Sequence, residues 1–181
     1  PEVNSDHLAL LRRQGEAKGW SGRILANPNC STVVLAMVLA PLRRFGLDKA
    51  VVSTLQAISG GGYPGVPSLD VVGNVIPFIS GEESKIETET QKILGRVVDG
   101  EVKQHPLTVS ATTTRVPVIN GHTELVSVSL PLVESSDQVV ASINEFKGVP
   151  QELDLPSAPS QPLRYMESEE RPQPRLDAGC G

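Results

Sequence analysis

Cysteine is nearly missing. The chain of 181 residues has two, Cys30 and Cys180, too few for a disulfide framework, so a packed core has to hold the fold. A reducing, cytoplasmic setting is the expectation that follows. Aromatics are scarce as well, at 3%, which leaves the core to Val, Ile, Leu and Ala. Only three histidines occur, so chemistry that needs an imidazole has few sources. No apolar run approaches the ~20 residues that cross a bilayer, and no signal-peptide pattern opens the chain, so no membrane partner is expected. A formal charge of −5 argues against a nucleic-acid partner. No metal site is expected.

What is present is an ordinary globular composition, 39% apolar and 20% charged. The length suits one domain with a real core and not comfortably two. The chain begins with Pro1 rather than Met and ends on Cys180-Gly181 without a terminal element. It is expected to be a piece of a longer protein.

Ser5-Asp6 before HLALLRRQGEA predicts a capped helix with an apolar stripe at Leu8, Leu10 and Leu11. RILAN (23–27) predicts a short strand, and Asn27-Pro28-Asn29 a turn, because a residue before proline avoids helical dihedrals. From Cys30 to Leu42 the chain is apolar on nearly all sides, which predicts a buried helix ended by Gly46. KAVVSTLQAIS (49–59) predicts a strand and GGGYPGVPS a loop, while LDVVGNVIPFI reads equally as short helix or irregular segment. EESKIETETQKILGR (82–96) predicts a helix with acids first and Lys92 and Arg96 last, as the macrodipole favours. LTVSATTTRVPVI and HTELVSVSLPLV predict two strands joined as a hairpin at Asn120-Gly121. SSDQVVASINEF predicts a last helix capped by Ser135 or Ser136, and a proline-rich wrapping loop follows Pro150. The pattern implies an α+β domain, a mixed sheet with helices packed on one face.

At the join between turn and helix sits Cys30. A thiol there meets unpaired backbone N–H groups and the positive end of the helix dipole, which favour the nucleophilic thiolate. The same N–H groups are placed to stabilise an oxyanion. The alternative is a small buried apolar side chain, the commonest use of free cysteine. Of the histidines that could serve as a base, His7 and His105 read as surface residues, and His122 follows the Asn120-Gly121 turn. Arg115 interrupts an otherwise uncharged run. It either ends a strand at the surface or points into a site, where its planar fork would grip a carboxylate.

Taken together, NPNCST (27–32), QAISGGG (56–62), GEESKIETETQKIL (81–94), RVPVINGHTE (115–124) and RPQPRLDAG (171–179) resemble the aspartate-semialdehyde dehydrogenase family, in its fungal or archaeal-like branch. The resemblance covers most of the chain in the family's order. It implies a mostly antiparallel mixed sheet, as in the C-terminal domain of glyceraldehyde-3-phosphate dehydrogenase. Residues 1–169 would form the catalytic and dimerisation domain, and 170–181 a segment leading back toward a cofactor domain absent from this chain. The implied activity is the NADP-dependent interconversion of aspartate semialdehyde plus phosphate with aspartyl phosphate through an acyl-cysteine. Cys30 would be the nucleophile and His122 the general base and acid. By the same resemblance, Asn29 lies beside the nucleophile, Gln56 orients the substrate and Glu82 pairs with its amino group. Lys85 would hold phosphate, Arg115 the substrate carboxylate, and Ser59 and Gly60 would offer backbone contacts to NADP. A homodimer or homotetramer would form through the sheet face. A fragment without its NADP domain would be inactive, in practice a dimerisation module. A malonyl-CoA reductase-like paralogue is the competing enzyme, and Glu82 argues against it because a malonyl group carries no amine. Gly60-x-Gly62-x-x-Gly65 satisfies a dinucleotide-binding pattern, but Pro64 and Pro67 predict that no helix opens there.

Overall fold

The computed structural model describes residues 2–179, so Cys180 lies outside the described residues. A 3₁₀ turn, Ser5–Ala9, leads into α1 (Leu10–Lys18), and α2 (Cys30–Leu39) ends in a second 3₁₀ turn stopped by Gly46 in the left-handed region. Next come β1 (Lys49–Gln56), α3 (Ser68–Val71), α4 (Glu82–Ile93), β2 (Arg96–Val98), β3 (Glu101–Lys103), β4 (Thr108–Arg115) and β5 (Thr123–Ser129). The chain closes with α5 (Ser136–Asn144) and the short helices α6 (Val149–Glu152) and α7 (Pro174–Asp177). Only the four-residue α3 follows the 60–65 glycines, so that pattern opens no helix able to hold a pyrophosphate.

The main sheet has the order β4-β1-β5, with β1 parallel to β4 and antiparallel to β5; β2 and β3 form a separate antiparallel pair. The α+β architecture is as expected, but the hairpin is not formed. Its two arms flank β1, and residues 116–122 carry the chain across the end of that strand. Ile58 N–H donates to Val118 O at 2.7 Å and Ser59 N–H to Ile119 O at 3.1 Å. An Asn-Gly turn reports local chain reversal; it cannot report that a strand from earlier in the sequence fills the slot between the arms.

Side-chain alternation puts Ala50, Val52, Thr54 and Gln56 on the buried face of β1. The register aligns them with Val109, Ala111, Thr113 and Arg115 of β4, and with Val128, Val126 and Glu124 of β5 for the first three. Rows of aliphatic residues therefore give way to Thr54/Thr113/Glu124 and then to Gln56/Arg115 at the end of β1. Leu35, Leu39, Ile86, Leu94 and Leu107 complete the core against the aliphatic rows. Helix α4 lies along β4 and touches α2. Its Glu87 accepts from Ala111 N–H at 3.2 Å and its Glu83 from Thr113 N–H at 3.1 Å, while Arg115 N–H donates to Ile76 O at 2.9 Å.

Three further expectations change. RILAN makes no strand: Gln14 accepts from Ile24 N–H at 2.8 Å and donates to Ile24 O at 3.0 Å, so a side-chain amide stands where a neighbouring strand would be. Helix α2 is not buried all round, since Val33 (44%) and Val34 (41%) face outward. At the first helix, Asp6 accepts from Val97 N–H at 3.2 Å instead of capping, and Leu8 is exposed. Helix α5 starts one residue after Ser135, as read from the sequence, without a side-chain cap bond.

Candidate active site

Asn29 caps α2, its Oδ1 accepting from Ser31 N–H at 3.0 Å and Thr32 N–H at 3.3 Å. These are the orphan donors a helix start leaves over. Val33 N–H is bonded to Asn29 O at 3.1 Å. Among the described residues this leaves Cys30 N–H without a partner, so the expected set of oxyanion donors on the helix shrinks to one. The cap also sorts the side chains: Ser31 and Thr32 point inward and the Cys30 thiol is exposed. From α4, Glu89 accepts from Asn29 N–H at 2.7 Å and holds the turn from behind.

Across from the sulfur stands His122, its Nε2 3.2 Å from Cys30 Sγ although 92 residues separate the two in sequence. The ring is held at its other nitrogen, where Ala57 N–H donates to Nδ1 at 3.0 Å. Arg115 is buried (6%), not at the surface, and its guanidinium donates to Ala57 O at 2.7 Å. A Cβ on Gly60 would come within 3.1 Å of the Arg115 guanidinium and 3.2 Å of the His122 ring. Space, not backbone angle, favours glycine there. Burial lowers the pKa of His122, the Arg115 charge lowers it further, and the Glu82 carboxylate pulls the other way.

Gln56 is fully buried; its amide donates to Glu82 Oε2 at 2.7 Å and to Thr54 Oγ1 at 3.3 Å. Its Oε1 has no partner among the described residues. Glu124, directly opposite Thr54, has both carboxyl oxygens buried and without a partner among the described residues, and burial pushes its pKa up to about 8.

The structure thus gathers Cys30, His122, Arg115, Gln56 and Glu82, with exposed Ser59 and Gly60 beside them. Asn29 is at hand, but its oxygen is occupied by the cap. Lys85 stays exposed one turn along α4 from Glu82, without a hydrogen bond or ion pair among the described residues. Of the other histidines, His7 bonds to Asn4 at 3.2 Å, and His105 is half-buried instead of at the surface, its pKa lowered first by burial and then by Arg43. Sequence reasoning missed Glu89, Glu124 and the Ala57 peptide. Glu124 had a readable signal, an acid in phase with the buried positions of its strand; Ala57 had none, because it acts through its backbone. No group of side chains suited to a metal ion occurs, and no helix is long and apolar enough to cross a membrane, among the described residues.

Comparison with known proteins gives a consistent result. The family described as semialdehyde dehydrogenase, dimerisation domain, matches residues 39–181. The aspartate-semialdehyde dehydrogenase of Methanothermobacter thermautotrophicus is 47% identical over 98% of this chain and 51% of its own length. That of Cryptococcus neoformans is 48% identical over 98% of this chain and 51% of its own. The crystal structure of aspartate-semialdehyde dehydrogenase with NADP from Candida albicans superposes with a TM-score of 0.87 at 40% identity, covering 98% of this chain and 52% of that one. The chain spans about half the length of the curated relatives it matches.

Proposed function

The chain belongs to the semialdehyde dehydrogenase family, dimerisation domain, and from that premise we propose that it is the catalytic and dimerising half of an aspartate-semialdehyde dehydrogenase. The whole protein interconverts aspartate semialdehyde plus phosphate with aspartyl 4-phosphate, in the synthesis of aspartate-family amino acids such as threonine, methionine and lysine. The observation that carries this reading is the 3.2 Å approach of His122 Nε2 to the exposed Cys30 sulfur at a helix start.

The Cys30 thiolate adds to the substrate carbonyl and a thioester links substrate and protein, which divides one hard conversion into two. His122 removes and returns the proton as general base and acid. Arg115 grips the substrate carboxylate, Glu82 takes its amino group, and Gln56 presents an otherwise unpaired Oε1 to it. Lys85, free in solvent, receives the phosphate. A substrate amine suits Glu82 better than a malonyl group does. Exposed Ser59 and Gly60 offer backbone contacts to NADP. NADP, when bound, supplies the hydride acceptor or donor at the reacting carbon. Residues 1–169 form the catalytic and dimerising unit, and 170–181 lead toward the part of the protein that holds most of the cofactor. The chain by itself has little or no turnover. It pairs into a homodimer or homotetramer through the outer sheet face, where Val51 and Leu125 are exposed.

The test is turnover of the whole-length protein with aspartate semialdehyde, phosphate and NADP, wild type against Cys30→Ser. Loss of at least about 10³-fold is expected, since the variant lacks the nucleophile. Comparable activity in the two proteins, or a wild type that reduces malonyl-CoA and ignores aspartyl phosphate, would refute the assignment.

A further inference from the structure

The His122 ring is held from inside by Ala57, but its backbone leans on an element from the far end of the chain. Bonds to Ile58 and Ser59 fix the crossing segment only as far as Ile119. Among the described residues, no backbone hydrogen bond holds Asn120, Gly121 or His122. What meets them is α7. A Cβ on Gly121 would come within 3.1 Å of the Pro174 and Ala178 Cβ atoms, and Gly121 stands at φ +87°. Space and backbone angle both require glycine at this point, and the space is filled by the C-terminal segment.

Helix α7 is a single turn, too short to keep its shape unaided. A clasp closes it. Asp177 Oδ2 accepts from Gln173 N–H at 2.6 Å and from Arg171 Nε at 2.7 Å, while its Oδ1 accepts from the same guanidinium. Two parallel bonds of this kind are the strong, directional form of the pair. The Asp177 side chain is only 7% exposed, so water competes little for it, unlike in an ordinary surface pair. Arg171 N–H donates to Ser168 O at 3.0 Å and the Gln173 amide to Glu170 O at 2.9 Å, which ties down the entry to the turn. Pro174 lies inside the clasped stretch and Ala178 directly follows Asp177, so the two residues that meet Gly121 are the ones the clasp controls.

We propose that Arg171 and Asp177 are positioning residues for His122: their ion pair seats α7 on Gly121 and fixes the turn from which the imidazole reaches the Cys30 sulfur. This rests on the function proposed above and keeps the role of His122 in it. Opening the clasp frees residues 120–122 to shift, and an error of about 1 Å between reacting groups costs on the order of 10²-fold in rate. Glu82 and Arg115 stand on α4 and β4, away from this turn, so the substrate is still held. The clasp therefore weighs on kcat and spares KM.

The test compares the whole-length protein with Arg171→Ala, Asp177→Ala and the two combined. Each single change should lower kcat at least about tenfold, with KM for aspartate semialdehyde within about twofold of wild type. The double variant should be no slower than the slower single one, because one clasp is broken only once. Asp177→Asn keeps the shape without the charge and should fall between wild type and Asp177→Ala. A substrate-free measurement accompanies these: ¹⁵N spectra of the histidine-labelled chain, in which Asp177→Ala should move the His122 ring signals and leave those of His7 and His105 in place. Unchanged kcat, a loss carried by KM, or additive losses in the double variant would overturn the proposal. So would His122 signals identical to wild type, or all three histidines moving alike. A wild type without turnover, whose His122 signals still respond to Asp177→Ala, would keep the clasp and refute the proposed function instead.

Discussion

Glu124 makes folding stability depend on pH in an unusual sense, and Glu124→Gln isolates the effect. The carboxyl sits in the Thr54/Thr113 row with neither oxygen bonded among the described residues. Its pKa is about 8 in the fold against an ordinary 4.5. Below pH 4.5 both states carry the proton and the group contributes nothing to the pH dependence. Between 4.5 and 8 the unfolded chain ionises and the native state does not, so stability falls as pH rises, by about 1.4 kcal/mol per pH unit. Above 8 both states are ionised and the loss is complete. From about pH 5 to about pH 8 the loss is on the order of 3–4 kcal/mol, a large share of a typical domain's stability. Glutamine has nearly the same shape and does not titrate. Urea unfolding of both proteins across that range should give a difference that grows with pH in favour of the variant, while all other titrating groups cancel. A difference that stays flat would show that Glu124 is solvated or paired, and would refute the reasoning.

Other expectations follow from single contacts. Glu89→Ala removes the carboxylate that holds Asn29 N–H; a loss of about 1.5–3 kcal/mol in urea unfolding is expected for a bond to a charged acceptor. Leu39→Ala opens a cavity at a fully buried position and should cost about 2–5 kcal/mol by the same measurement. Leu125→Glu puts a charge on the exposed face of β5; sedimentation should find a folded monomer where the wild type associates, and an undiminished dimer would move the interface elsewhere.

Much of the site was legible in the alternation of one strand. In KAVVSTLQ, every second residue reads Ala50, Val52, Thr54, Gln56, a run from apolar to polar that the sheet turns into a core at one end and a site at the other. The turn NPNC likewise placed a thiol at a helix start, where cap chemistry is local. The missed features depend on distant partners. At Asn120-Gly121 the chain bends, with Gly121 in the left-handed region, but β1 lies between the two strands it was expected to join. Ile24 and Leu25 have strand-like side chains and no strand to pair with. Val33 and Val34 resemble their buried neighbours, and composition does not say which face of an apolar helix is covered. The grip on His122 comes from a peptide bond, which every residue type except proline could supply.

The carboxylates of Glu83 and Glu87 on β4, with Ile76 beyond them, bear on how copies of this chain can meet. An open sheet edge is a template that recruits further strands without limit, and bare amides on it invite fibrous growth. At Ala111, Thr113 and Arg115 every outward amide is already occupied, so that edge offers a newcomer no N–H donor at those positions. The proposed pairing through the flat side of the sheet is of the other kind, in which side chains meet side chains and two copies can satisfy one another and stop.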